Sequence, residues 1–200
     1  YNATLDSLVN DDVLAESFPI FQTTSKIDRR GVERLHAALD LGKSPVELFK
    51  YVAWGRAHES ICDDALAELL SKILLKDGGT DVAMEILQMR FHGRNEHSPK
   101  ISPSLITISR ELLLKHAFDE KLKRQDNHDL NLAQLARICL TGEEAIATAT
   151  QVSHKLATAI SDSHGLTFDY PKLLNSIAKT QPTVFLDVFF GRSTVDSKQR

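Results

Sequence analysis

Histidine and cysteine are the residue types in this chain that could bind a metal or act as nucleophiles, and their spacing predicts neither role. The eight histidines form no His-x-x-x-His pair, and the two cysteines form no Cys-x-x-Cys pair. A zinc site needs three or four convergent ligands, so we expect no metal and no other cofactor. Neither a Gly-x-Ser-x-Gly turn nor a phosphate-binding glycine loop is present. The sequence therefore predicts no catalytic residue, and a protein that is not an enzyme.

Aromatic and basic side chains cluster around residue 54. Tyr51 and Trp54 are three residues apart, which places them on one face of a helix, and Arg56 and His58 follow. Trp, Tyr and Arg are the residue types that dominate the binding energy of protein interfaces. We therefore expect these four residues to bind a protein or peptide partner. The alternative is that they pack in the core between adjacent helices.

A second candidate binding surface is the basic segment 90–124. It contains eight Lys or Arg and four Asp or Glu, whereas the whole chain has a net charge of −3. This segment could meet an acidic partner, a phosphate backbone or an acidic part of the same protein, or it could be an ordinary solvated face. The negative net charge argues against general nucleic-acid binding. The cationic residues of the segment are Arg90, Arg94, Lys100, Arg110, Lys115, Lys121, Lys123 and Arg124.

The elements that must position these residues are predicted to be helices. Apolar residues recur at helical spacing, as in Leu66, Leu69, Leu70 and Ile73, and strand patterns are scarce. The nearly continuous apolar segment 184–190 could be a strand, but Pro182 before it favours a buried helix. Helices are predicted at about residues 4–17, 29–41, 45–57, 61–76, 80–91, 103–117, 130–140, 143–161, 170–179 and 182–190.

Longer breaks between helices are predicted near residues 18–28 and 118–129.

Cys62 and Cys139 lie among aliphatic residues, so we expect both to be buried and reduced. No apolar run approaches the roughly 18 residues that span a bilayer, which predicts a cytoplasmic protein without membrane contact. The chain begins at Tyr1 and not at Met, and we expect it to be a fragment of a larger protein.

An internal repeat organises the predicted helices. The segments 66–69 (Leu-Ala-Glu-Leu) and 132–135 (Leu-Ala-Gln-Leu) each lead through a Gly-containing turn into a second amphipathic helix. Similar two-helix units begin near residues 28 and 169. Units of roughly 35–40 residues with two helices each have the size of helical-hairpin repeats. On these segments the chain resembles the HEAT and armadillo class of α-solenoids.

This resemblance implies an all-α fold in which antiparallel helical hairpins stack as a short irregular α-solenoid. An irregular globular helical bundle is the structural alternative. The expected organisation is an N-terminal helix and connector over residues 1–28, a helical-repeat domain over residues 29–190 and a polar tail over residues 191–200.

The function that these observations favour is a non-enzymatic module that binds or scaffolds other proteins. Its partner would be a protein, a peptide or another domain of the parent chain. A reading from a different class is a regulatory or sensor region of a multidomain signalling ATPase whose catalytic core lies outside this chain. A third hypothesis is nucleic-acid binding through the basic segment 90–124, which the lack of interleaved aromatic residues weakens.

Overall fold

The computed structural model describes residues 2–94, 98–118, 128–162 and 170–191. Every regular element in these residues is helical, which confirms the all-α prediction. None of the helices in these ranges is long and apolar enough to cross a membrane. The α-helices are α1 (Asn2–Leu8), α2 (Phe18–Thr23), α3 (Arg29–Leu41), α4 (Asp63–Ile73), α5 (Gly79–Phe91), α6 (Pro103–Lys115), α7 (His128–Cys139), α8 (Ile146–Asp162), α9 (Pro171–Thr180) and α10 (Pro182–Phe189). The 3-10 helices are Ala15–Ser17, Val46–Ser60 and Glu143–Ala145.

The chain divides into two compact units, residues 1–108 and residues 109–200, with the boundary inside α6. In the first unit, the 3-10 helix Val46–Ser60 packs on α2 and α5, and α3 packs on α4. Its buried core is aliphatic and aromatic, and includes Phe18, Leu35, Phe49, Leu66, Leu70, Ile73 and Leu87. In the second unit, α7 packs on α9 and α8 packs on α10. The core of that unit includes Leu112, Leu132, Ala136, Ala149, Val152, Leu156, Leu173 and Ile177.

The predicted first helix, residues 4–17, is wrong in its extent. In the structure α1 ends at Leu8, and a separate 3-10 turn begins at Ala15. Asp11 explains the interruption, because its carboxylate accepts hydrogen bonds from the backbone N–H groups of Val13 (2.9 Å) and Leu14 (2.8 Å). A short side chain that satisfies nearby backbone groups in this way competes with the helix.

The predicted break at residues 18–28 contains a helix, α2, so this prediction is also wrong. Pro19 lies in the first turn of α2, where its missing N–H costs nothing and its fixed φ suits the helix. The Phe18 side chain is fully buried. Burial against the 3-10 helix Val46–Ser60 stabilises this short helix, which local sequence signals did not reveal. The predicted break at 118–129 falls mostly on residues 119–127, which lie outside the described residues.

The segment predicted as an α-helix at residues 45–57 is a 3-10 helix that is interrupted near its middle. Trp54 is extended (ψ 155°), and Gly55 and Arg56 both have positive φ, 56° and 62°. Three consecutive non-helical residues end the first half of the segment at Ala53. A helix with three residues per turn is uncommon at this length, so packing against α2 and α5 must maintain it. The predicted helix at 182–190 is confirmed as α10, and the strand alternative is excluded.

Candidate functional site

The aromatic pair Tyr51 and Trp54 lies at the end of the first half of the 3-10 helix Val46–Ser60. Phe49, Val52 and Ala53 of the same segment are fully buried, which fixes the segment against the core. In a 3-10 helix, residues i and i+3 lie one above the other. The Tyr51 and Trp54 rings accordingly contact each other, with centroids 5.2 Å apart and planes inclined by 52°. Because Phe49, Val52 and Ala53 anchor the segment in the core, the Tyr51 and Trp54 rings are held next to each other.

Trp54 is a large aromatic residue that the fold leaves 55% exposed. Its indole N–H donates a hydrogen bond to the Glu85 Oε1 atom of α5 at 3.0 Å. Lys50 lies near the other ring of the pair, with its Nζ atom 5.9 Å from the centroid of the Tyr51 ring. The two rings, one carboxylate and one ammonium group form what we call the Trp54 surface.

The turn that follows Trp54 has an unfavourable backbone conformation. Arg56 is the one residue other than glycine with positive φ among the residues that the structure describes. A side chain disfavours this left-handed region, and such strain often occurs at functional sites. The Arg56 side chain is exposed and forms an ion pair with Glu59 at 2.7 Å. The turn thus projects Trp54 and Arg56 outward from the core.

His58 and Arg90 were both predicted to contact a partner, and the structure directs them inward. His58 is only 3% exposed. Arg90 donates hydrogen bonds to the main-chain oxygens of His58 (2.9 Å) and Ile61 (3.1 Å) and to the carboxylate of Asp63 (2.7 Å). Its guanidinium therefore joins the end of α5 to the segment that precedes α4.

The charges around Arg90 alter the protonation of its neighbours. Burial lowers the pKa of His58, and the positive charge of Arg90 lowers it further. Burial by itself would raise the pKa of Asp63, but hydrogen bonds from Arg90 and from the Ser102 N–H hold this pKa below its usual value. His58 is therefore neutral and Asp63 is charged at neutral pH, which suits a structural arrangement.

The remaining cationic residues of the basic segment 90–124 that the structure describes belong to both units. Arg94 donates to the main-chain oxygen of Pro99, and Lys100 is exposed. Arg110 belongs to the second unit and donates to the Cys139 carbonyl at 2.8 Å. Lys115 forms an ion pair with Glu111 at 3.0 Å. The predicted contributions of Lys121, Lys123 and Arg124 lie outside the described residues.

A cleft between α3 and α4 is a further polar feature of the first unit. It has a volume of about 580 Å³, and Ile27, Val32 and Ile61 form its buried apolar floor. Cys62 lines the cleft and is exposed, so the prediction that this cysteine is buried is wrong. The residue precedes the first turn of α4, where its side chain lies outside the packed face of the helix. Cys139 is buried as predicted, and burial raises its pKa to about 12.

Two histidines of the second unit form a contact that their sequence spacing did not reveal. The Nε2 atoms of His116 and His128 are 3.0 Å apart, beside the rings of Phe118 and Tyr170. Hydrogen bonding at this distance requires that one of the two nitrogens carries a proton and the other does not. Over the residues that the structure describes, no group of three or more His, Cys, Asp or Glu side chains is placed to hold a metal ion.

Lys50 and Glu85 are the residues of the Trp54 surface that sequence reasoning missed. Lys50 is next to Tyr51 in the chain, whereas Glu85 lies 31 positions from Trp54 and no local motif links these two positions. Comparison of the chain with family models, with curated proteins and with solved structures finds no significant match. The properties of the Trp54 surface must therefore be inferred from its own geometry.

Proposed function

We propose that this chain is a non-enzymatic, cytoplasmic module that binds another protein through the Trp54 surface. The observation that carries this proposal is the exposure of Trp54 at a strained turn. Burying a tryptophan side chain removes a large apolar area from water, and Trp is enriched among residues that dominate interfaces. An exposed Trp and the positive φ of Arg56 both cost free energy in the isolated chain. Partner binding would recover part of the cost of exposing Trp54.

The helical-repeat organisation that the sequence suggests is part of this proposal. Leu66, Ala67 and Leu69 are buried in α4, and the equivalent Leu132, Ala133 and Leu135 are buried in α7. The intervening Glu68 and Gln134 are not fully buried. Because equivalent positions of α4 and α7 are buried in the same pattern, this burial supports two copies of one helical unit, as in the HEAT and armadillo class.

A second correspondence also supports repetition. Asp63, three residues before Leu66, accepts a hydrogen bond from the backbone N–H of Ser102 at 2.9 Å, just before α6. Asp129, three residues before Leu132, accepts hydrogen bonds from the backbone N–H groups of Lys172 and Leu173 at the start of α9. In both cases an aspartate at the start of one helix accepts backbone hydrogen bonds at the start of another helix. One further helix lies between the two along the chain. Repeat proteins join neighbouring units through this kind of nearest-neighbour contact.

Substitution of Trp54 by Ala tests the binding role. Partners of the tagged full-length chain would be crosslinked in cells, recovered and quantified for wild type and variant. A hot-spot residue contributes about 2 kcal/mol or more, which is roughly thirtyfold in affinity, so we expect at least one partner to be recovered at least about tenfold less with Trp54→Ala. Leu75→Ala is the matched control, because Leu75 is 77% exposed but lies outside the Trp54 surface.

Two outcomes would contradict the proposal. One is equal recovery of every partner with wild type, Trp54→Ala and Leu75→Ala. The other is a loss of about 3–5 kcal/mol in unfolding free energy for Trp54→Ala, which is typical of a buried core aromatic. Thermal unfolding followed by circular dichroism measures the second quantity.

The sensor-region and nucleic-acid hypotheses stay predictions. The internal hydrogen bonds of Arg90 and Arg110 do not favour nucleic-acid binding.

A further inference from the structure

The Trp54 surface combines two aromatic rings with a carboxylate at the edge of one of them. The faces of Tyr and Trp rings carry negative electrostatic potential, and cations bind over them within about 6 Å of the ring centroid. The hydrogen bond from the Trp54 indole to Glu85 at 3.0 Å fixes a full negative charge beside the ring. Lys50, 5.9 Å from the Tyr51 centroid, is an internal example of a cation placed over one of these rings.

Lys50 places one positive charge near Tyr51, but the charges next to Trp54 favour a cationic ligand. Along α5, Asp81 and Glu85 precede any basic residue, and the first basic residue, Arg90, is engaged in internal hydrogen bonds. The ion pair with Glu59 offsets the charge of Arg56, two positions after Trp54. The Trp54 side chain therefore lies beside the Glu85 carboxylate, which forms no ion pair with any residue that the structure describes.

We infer that Tyr51, Trp54 and Glu85 form a site that binds an arginine side chain of the partner. This inference rests on the proposed binding function and specifies the chemistry of the ligand. A guanidinium group is flat, so it can stack on the exposed indole, and its N–H groups can donate to the Glu85 carboxylate at the same time. A lysine ammonium group is a compact, strongly hydrated point charge, so it cannot stack on the indole as a plane.

Trp54 is the only tryptophan of the chain, so its fluorescence reports on this site alone. The full chain would be titrated with a short peptide that contains three consecutive arginines. The control peptide contains citrulline, which keeps the size and planarity of arginine but lacks its charge. We expect a saturable fluorescence change with the arginine peptide and at least tenfold weaker binding of the citrulline peptide. A saturable change of similar affinity with both peptides, or none with either, would overturn the inference.

Two variants test whether the Glu85 carboxylate in particular contributes to binding of the arginine peptide. Glu85→Gln removes the charge but keeps an oxygen that can accept the indole hydrogen bond, and we expect about tenfold weaker binding of the arginine peptide. Glu68→Gln removes the same charge from the wall of the α3–α4 cleft, and we expect no change. Equal weakening by both variants would show that only the overall charge of the protein matters, and the specific site would be rejected.

The experiments separate the two proposals. If Trp54→Ala loses a cellular partner while the arginine peptide does not bind, the binding function stands and the arginine site is wrong. If the arginine peptide binds and Glu85→Gln weakens it, but Trp54→Ala retains every partner, the site exists and the proposed function is wrong.

Discussion

Arg90 joins two helices of the first unit through hydrogen bonds from its guanidinium group. The three groups that it contacts are the His58 carbonyl in the 3-10 helix Val46–Ser60, the Ile61 carbonyl that follows this helix, and the Asp63 carboxylate at the start of α4. The ion pair with Asp63 is mostly buried, with side-chain exposures of 16% for Arg90 and 20% for Asp63. Removal of one partner of such a pair leaves the other with an unmet desolvation cost.

Substitution of Arg90 by Ala should lower the unfolding free energy by about 2 kcal/mol, because Asp63 and two carbonyl groups lose a donor. Urea denaturation measures this change. Arg29→Ala is the control, since the Arg29–Glu33 pair is almost fully exposed and such pairs contribute little. Equal unfolding midpoints for Arg90→Ala and Arg29→Ala would show that Arg90 is a surface residue, as its place in the basic segment 90–124 had suggested.

At the level of single residues, the sequence identified candidate residues but not whether their side chains face the core or the solvent. Trp54 and Tyr51 were placed together because their spacing of three suits both α and 3-10 helices. His58 could not be assigned correctly, because the positive φ of Gly55 and Arg56 redirects the chain between Trp54 and His58. Glu85 and the partners of Arg90 depend on contacts between elements about 30 residues apart, which local periodicity does not encode.

At the level of helices, hydrophobic spacing predicted most elements well. The predicted 29–41 and 80–91 helices correspond to α3 (Arg29–Leu41) and α5 (Gly79–Phe91), because their apolar stripes and terminal glycines are local signals. The errors at α1 and α2 have a different origin. Asp11 interrupts the first helix by a side-chain contact, and α2 is too short to show periodicity, so its stability comes from tertiary packing.

The capping contact of Asp129 tests whether α9 depends on α7 for its stability. Asp129→Ala leaves the N–H groups of Lys172 and Leu173 without their acceptor, and we expect a loss of about 1–2 kcal/mol in unfolding free energy. Hydrogen exchange of these two amides should become faster. Asp187→Ala on α10 is the control, since Asp187 is exposed. Unchanged exchange at Lys172 and Leu173 in Asp129→Ala would argue against this link between α7 and α9.

At the level of the whole molecule, several titratable groups have a lower pKa in the folded state. Burial lowers the pKa values of His36 and His58, and nearby Lys72 and Arg90 respectively lower them further. A hydrogen bond from Arg34 is the largest cause of the lowered pKa of Asp6, and hydrogen bonds from Lys72 lower that of Asp40. These groups therefore bind fewer protons in the folded chain than in the unfolded chain at acid pH, so their contribution to stability falls as pH decreases.

The two residue types act in different pH ranges. The histidine contribution is complete well above the ordinary histidine pKa of 6.5 and is lost as pH falls below that value. The aspartate contribution is lost only as pH falls below about 3.8. We expect the urea midpoint to be nearly constant from pH 8 to pH 7, to decrease from pH 7 to pH 5, and to decrease again below pH 4.

A variant with both His36→Asn and His58→Asn separates these contributions. It should lose much of the decrease between pH 7 and pH 5, because the neutral amide has no proton to gain, while the decrease below pH 4 should remain. The variant will be less stable than wild type at pH 8 if the buried imidazoles contribute packing, so the slope with pH is the quantity to compare. A wild-type midpoint that rises as pH falls from 7 to 5 would show that these histidines gain protons on folding, contrary to their burial beside cationic side chains.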